Sequence, residues 1–158
     1  MGIRSTVKAI LLKDGKMLLN RCRDDKFGDY FSLPGGGQHQ YETLHEAVVR
    51  EVFEETGYSV VPTRFAALCE TIFTNEDFRK SNPSHVHRIY HVFMCELLHD
   101  KKTMPTGKDD MQVGSEWVDL NLINSENRTR LFPIAVGDNI HEILNGSSPM
   151  FLGSNYKD

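Results

Sequence analysis

The sequence predicts an α/β protein in which a mixed β-sheet is flanked by helices. Runs rich in β-branched and aromatic residues recur along the chain, and two helical patterns stand among them, one early and one near the C-terminus. At 158 residues, with 39% hydrophobic and 25% charged content, the chain suits a single compact domain spanning residues 1–158.

The strands are predicted from β-rich runs bounded by turn residues. The first two, Val7–Leu12 and Lys16–Arg21, should form a hairpin, because Asp14-Gly15 between them supplies the positive φ that a tight turn requires. A polar loop should follow over residues 23–30. Further strands are expected over residues 58–61, 65–73, 86–98 and 116–120.

The early helix is predicted from Leu44 to Thr56. Its start is marked by a capping box, Thr43-Leu44-His45-Glu46, and its end by Gly57. A second, amphipathic helix is predicted over residues 133–144. The polar stretch 74–84 should be a long loop, suited to a lid or an edge between subunits, and residues 153–158 are the one candidate for a tail.

Composition narrows the class of protein. A net charge of -4 with scattered basic residues does not indicate a nucleic-acid partner. No run approaches the ~20 apolar residues that span a bilayer, so no membrane association is expected. Three cysteines without CxxC spacing favour reduced thiols, and therefore a cytoplasmic location. A homodimer stays open as an alternative to a monomer.

Three carboxylates project from one side of the early helix, those of Glu51, Glu54 and Glu55. Like charges at this spacing repel one another, and a hard divalent cation removes the repulsion. Mg²⁺ suits an oxygen-rich site of this kind beside a glycine-rich loop, here Pro34 to Gly37. Arg50, one turn before Glu54, is expected to position the acids. The sequence therefore favours metal-assisted phosphoryl chemistry.

These residues resemble a known signature. Gly36, Glu42 and the run Arg50-Glu51-Val52-Phe53-Glu54-Glu55-Thr56-Gly57-Tyr58 fill every fixed position of the Nudix box, G-x5-E-x7-REUxEExGU. Where many members have Glu and Gly inside this loop, the chain has His39 and Tyr41. The resemblance to the MutT-like Nudix hydrolases implies an α/β/α sandwich and hydrolysis of a pyrophosphate bond in a nucleoside diphosphate linked to another moiety.

The resemblance also implies roles for individual residues. The expected metal ligands are Glu51, Glu54, Glu55 and the Gly35 carbonyl, with Mg²⁺ as the ion and Mn²⁺ as a substitute. The expected catalytic residues are Glu54, Glu51, Arg50 and Glu42, together with Asp110, which resembles an additional acid that some members recruit from a later loop. His85, His87 and His91 lack companion ligands, which favours structural or surface roles for them.

The partner should be a small-molecule nucleotide, and its identity is left open. Residues outside the box do not match the markers of particular Nudix branches; for example, Ile72 and Phe73 stand where many ADP-ribose hydrolases have a proline. An ADP-ribose or nucleotide-sugar substrate is modestly favoured. The alternatives are pyrophosphohydrolysis of (deoxy)nucleoside triphosphates, and a Nudix-fold module that senses a nucleotide without cleaving it.

Overall fold

A computed structural model of the chain describes residues 2–25, 28–123 and 130–158. The strands are β1 (Arg4–Lys13), β2 (Lys16–Asp24), β3 (Gly28–Ser32), β4 (Tyr58–Phe73), β5 (His87–Lys102), β6 (Gln112–Asp119), β7 (Leu131–Phe132) and β8 (Met150–Lys157). The helices are α1 (Leu44–Thr56), α2 (Glu76–Ser81), α3 (Ile134–Asp138) and α4 (Ile140–Asn145), with a short 3-10 helix at Leu120–Leu122.

The described strands form one mixed sheet in the order β7-β3-β2-β1-β5-β4-β8, and β6 pairs with β2 beside this path. β1 is parallel to β5, and β4 is antiparallel to β5 and parallel to β8. The predicted hairpin is present: Leu12 pairs with Met17, and both Asp14 and Gly15 have positive φ. Beyond this turn β2 leaves β1 and pairs instead with β3 and β6.

Helices cover both faces of the sheet. Side chains alternate along a strand, so on β1 Val7 and Leu11 belong to the core under α1, whereas Ile10 belongs to the core under α3 and α4. Val48 and Val52 of α1 are fully buried in the first of these cores. The predicted fold class, a mixed sheet flanked by helices in an α/β/α sandwich, is confirmed.

The early helix is confirmed at both ends. The Thr43 hydroxyl accepts a hydrogen bond from the backbone N–H of Glu46, and the Glu46 carboxylate accepts one from the backbone N–H of Thr43. Gly57 ends the helix at φ 76°, in the left-handed region that glycine enters without strain. Local sequence signals therefore fix the helix that carries the three glutamates.

The later predictions needed correction. The single helix over residues 133–144 is wrong: α3 and α4 are separate, because Asn139 leaves helical geometry and its side chain donates to the Ala135 carbonyl. The strands predicted over 58–61 and 65–73 are one strand, β4, whose register shifts between Pro62 and Arg64. Such an irregularity lets a strand continue past a proline, which has no N–H to donate.

Three segments predicted as loop or tail contain regular structure. Residues 74–84 include α2, which begins at the cap Asn75. Residues 23–30 include the end of β2 and the start of β3, while positions 26–27 lie outside the described residues. Residues 153–158 include the larger part of β8, which pairs with β4 at the edge of the sheet. Each segment is largely exposed, so apolar periodicity did not mark it.

Cys22, Cys69 and Cys95 are free thiols, and all three are buried. Burial raises their pKa values, to about 11 for Cys22 and Cys69 and about 12 for Cys95. Among the described helices, none is long and apolar enough to cross a membrane.

Candidate active site

The glycine-rich loop is attached to the sheet by backbone hydrogen bonds. The N–H groups of Val7 and Ala9 in β1 donate to the carbonyls of Gly36 and Pro34, both at 2.9 Å. Thr6 forms an isolated antiparallel bridge with Gly37. The loop therefore occupies the position of a further strand beside the first half of β1.

Two glycines of this loop are required by close approach. A Cβ atom at position 35 would lie 2.2 Å from the Val7 carbonyl oxygen, and Gly35 also has φ 132°. A Cβ atom at position 36 would lie 2.5 Å from an oxygen of the Glu51 carboxylate. The loop is thus packed directly between β1 and the acidic side of α1, which brings Glu51 against the loop backbone.

Arg50 holds the acids together. Its Nε and Nη2 atoms donate to the two oxygens of Glu42, at 2.7 and 2.9 Å, and Nη1 donates to Glu51 at 2.8 Å and to Glu54 at 3.2 Å. Nη2 also donates to the Gly37 carbonyl at 3.0 Å. These bonds lower the pKa of Glu42 to about 2 and raise the pKa of Arg50. Arg50 thereby fixes Glu51 and Glu54 side by side.

Glu55 is separated from this cluster and buried, with only 3% of the residue exposed. Its Oε2 atom accepts hydrogen bonds from Asn20 Nδ2 at 2.6 Å and from the Gly35 N–H at 2.7 Å. Burial nevertheless dominates and raises the pKa of Glu55 to about 7. Gln112 completes the surroundings by donating to Asn20 Oδ1 at 3.2 Å and to the Glu55 carbonyl at 3.0 Å.

Lys8 stands beside the carbonyl predicted to be a metal ligand. Its Nζ donates to Gly35 O at 2.5 Å and to Leu33 O at 2.9 Å. Sequence reasoning did not single out Lys8, Asn20 or Gln112. A signal was available for the first two, because each interrupts a run of buried apolar residues in the opening hairpin.

The other residues noted in the sequence lie outside the hydrogen bonds of Arg50 and Glu55. Asp110 lies in the exposed turn before β6, and its carboxylate makes no hydrogen bond or ion pair in the part of the chain that the structure describes. His87 pairs with Glu70 at 2.9 Å, away from the glutamates of α1. Tyr41 is 96% exposed and has φ 69°, which explains why glycine is common at this position in the family.

The donor set suits a hard divalent cation, since it consists of carboxylate and carbonyl oxygens. As the side chains lie here, however, the described residues contain no group of three His, Cys, Asp or Glu side chains that could hold a metal ion. Two cationic side chains contact these oxygens: Arg50 donates to Glu51 and Glu54, and Lys8 donates to the Gly35 carbonyl. A metal ion would replace these contacts with bonds to the same oxygens.

Comparison with known proteins agrees with the geometry. A family model described as NUDIX domain matches residues 2–135. An ADP-ribose pyrophosphatase from Methanocaldococcus jannaschii is 49% identical over 51 residues, which is 32% of this chain and 30% of that protein. The nucleoside triphosphatase NudI from Escherichia coli O139:H28 is 29% identical over 99 residues, covering 60% of this chain and 70% of that protein.

Solved structures share the fold. The crystal structure of an ADP-ribose pyrophosphatase from Streptococcus suis matches with a TM-score of 0.65 and 22% identity, covering 95% of this chain and 99% of that chain. The MutT protein from Methanosarcina mazei matches with a TM-score of 0.63 and 24% identity, covering 89% and 92% of the two chains. With the family model spanning most of its length, this chain belongs to the Nudix family.

Proposed function

We propose that the protein hydrolyses a pyrophosphate bond in a nucleoside diphosphate linked to another moiety, with Mg²⁺ as its metal and Mn²⁺ as a substitute. Nudix hydrolases generally need a divalent metal. The observation that carries the proposal is the Arg50 cluster, in which Glu51 and Glu54 lie side by side against a glycine loop. Such oxygen donors match the ligand preference of Mg²⁺.

Glu51, Glu54, Glu55 and the Gly35 carbonyl would hold the metal, which supplies charge neutralisation of the pyrophosphate oxygens and activation of water. Arg50 orients the acids, and Glu42 anchors Arg50 through two hydrogen bonds. A glutamate of α1, or Asp110 from the turn before β6, takes the proton from the attacking water. Asn20, Gln112 and the Gly35 N–H keep Glu55 in one orientation.

For the substrate, we favour ADP-ribose or a nucleotide sugar. The support is the relative from M. jannaschii named as an ADP-ribose pyrophosphatase, whose match is strong but short. Nucleoside triphosphates are the second candidate, because the match to the nucleoside triphosphatase NudI extends over more of both chains. Both classes present a pyrophosphate bond to the same carboxylates.

The test is a Mg²⁺-dependent hydrolysis screen over ADP-ribose, nucleotide sugars, dinucleoside polyphosphates, and canonical and oxidised nucleoside triphosphates, with products identified. Turnover should require Mg²⁺ and should fall by about 10²-fold or more in Glu54→Gln, since a carboxylate that meets metal or water is lost. The matched control is Glu142→Gln on α4, which removes an exposed acid from the opposite face. Absence of turnover for every compound would favour the nucleotide-sensing module.

A further inference from the structure

An open cleft of about 780 Å³ lies beside the acid cluster. Glu51 lines it, together with Arg4, Gly37 and His39 and with residues 83–84 from the segment that follows α2. The cleft therefore extends from the Glu51 carboxylate of α1 to Arg4, the first residue of β1. Of these side chains, Arg4 is a cation that the family signature does not include.

Arg4 is held on the glycine loop. A Cβ atom at position 37 would lie 2.6 Å from Arg4 Nη2, so the guanidinium rests on the bare Gly37 backbone. Arg4 Nη1 donates to His85 Nε2 at 2.7 Å, and His85 Nδ1 contacts the Ser84 hydroxyl at 2.9 Å. The backbone of β1 is itself bonded to the loop, with Gln38 N–H donating to Ser5 O at 3.1 Å.

The guanidinium lacks a negative partner. Within the described ranges, the Arg4 guanidinium forms no ion pair with a carboxylate, and His85 is its one hydrogen-bond partner. His85 accepts this bond as a neutral ring, and burial followed by the charges of Arg4 and Arg88 lowers its pKa. An arginine carries five N–H donors, and a fork of this kind matches phosphate oxygens. Most of the donor capacity of Arg4 is therefore unused in a cleft that contains Glu51.

We propose that Arg4 binds a phosphoryl oxygen of the substrate in this cleft, beside the carboxylates of α1. The proposal rests on the proposed function, because it assigns the cleft to the pyrophosphate of the same substrate. Arg4 is then a substrate-binding residue, and His85 is the positioning residue that orients it. Backbone hydrogen bonds join the loop to β1, and Glu51 packs against Gly36 of the same loop, so Arg4 and Glu51 are held on one framework.

The test compares Arg4→Gln and Arg4→Lys with the parent protein. Lys80→Gln is the matched control, because it removes one positive charge from exposed α2. Two readouts are measured: kcat/KM for ADP-ribose with Mg²⁺, and Kd for an ADP-ribose analogue in which a methylene group replaces the bridging oxygen of the pyrophosphate. Melting temperatures establish that each variant is folded.

Arg4→Gln should lower kcat/KM and weaken analogue binding by about 10- to 100-fold, the usual effect of losing a charge-assisted hydrogen bond. Arg4→Lys should lose less, since it keeps the charge without the fork. Lys80→Gln should change neither readout by more than about twofold. If Arg4→Gln does not fold, Arg4→Lys is compared with the parent by the same two readouts, and a smaller loss of kcat/KM and of analogue binding is expected.

Unchanged analogue binding in a folded Arg4 variant would overturn the proposal. Failure of the proposed function looks different: the parent itself would then hydrolyse none of the compounds in the screen. Binding of the analogue still tests Arg4 in that case, because it does not require turnover.

Discussion

Replacing Glu55 by glutamine should stabilise the metal-free protein at neutral and alkaline pH. The parent keeps this carboxyl group almost fully buried, and burial raises its pKa from 4.5 to about 7. The folded state therefore binds the Glu55 proton more tightly than the unfolded state. Stability from this group is fully present below pH 4.5 and is lost as pH rises towards 7.

The size of the effect follows from the pKa difference. The rise of the Glu55 pKa from 4.5 to about 7 corresponds to about 3 kcal/mol. Above pH 7 the buried charge of Glu55 lowers the free energy of unfolding by this amount. Glutamine removes this cost. Because Asn20 and the Gly35 N–H both donate to the same oxygen of Glu55, the amide oxygen of glutamine can accept the same two bonds.

Urea unfolding in the presence of a chelator measures the difference, with the fluorescence of the single tryptophan, Trp117, as the signal. The stability advantage of Glu55→Gln over the parent should grow from about 1 kcal/mol at pH 5 to about 3 kcal/mol at pH 8. Glu54→Gln on the same helix is the control: its side chain is 37% exposed, so this variant should retain the pH dependence that Glu55 causes.

Two results would refute this reasoning. One is a Glu55→Gln variant that is less stable than the parent at pH 8, which would mean that the surrounding donors stabilise the charge by more than burial costs. The other is an advantage that does not change between pH 5 and pH 8, which would mean that Glu55 does not titrate in this range.

Three further predictions concern stability. Tyr41→Gly should stabilise the protein by up to about 1 kcal/mol in urea unfolding, because the left-handed backbone costs tyrosine about 1–2 kcal/mol. The larger conformational entropy that glycine loses on folding offsets part of this gain. A loss of stability would contradict this prediction. Gly57→Ala should cost about 3 kcal/mol by the same assay, since its Cβ would lie 1.9 Å from Thr103 O and φ is 76°; a loss under 1 kcal/mol would show that the Thr103 backbone yields easily. Adding Mg²⁺ should raise the melting temperature of the parent more than that of Glu55→Gln, and equal shifts would remove Glu55 from the metal ligands.

The parts of the fold that the sequence predicted well depend on local interactions. The bounds of α1 are set by its N-cap Thr43 and its C-cap Gly57, and both caps act within one turn of the helix. β8 was missed for the opposite reason, because it is a largely exposed edge strand whose order comes from pairing with β4, far away in the chain. α2 is a six-residue helix without a buried residue, so no apolar periodicity marks it. The break at Asn139 depends on one side-chain hydrogen bond, which periodicity alone does not reveal.

In the candidate site, too, contacts within one element were predicted, whereas contacts between distant segments were not. Because Arg50, Glu51 and Glu54 are closely spaced on one helix, their contacts could be predicted from the sequence alone. Spacing suggested that Glu55 would join them, yet Asn20 and Gln112, which lie on two other strands, surround it in the interior. Such contacts across strands depend on register, and register is set by the whole sheet.

The three buried cysteines give the protein a built-in reporter of its own unfolding. With pKa values of about 11 to 12 and no exposed thiol among them, they should resist alkylation while the chain is folded. Cys22 and Cys95 lie in different sheet regions, on β2 and β5, so the order in which they react would map which strands open first. A brief pulse of a thiol reagent followed by mass spectrometry could then count opened molecules without any engineered label.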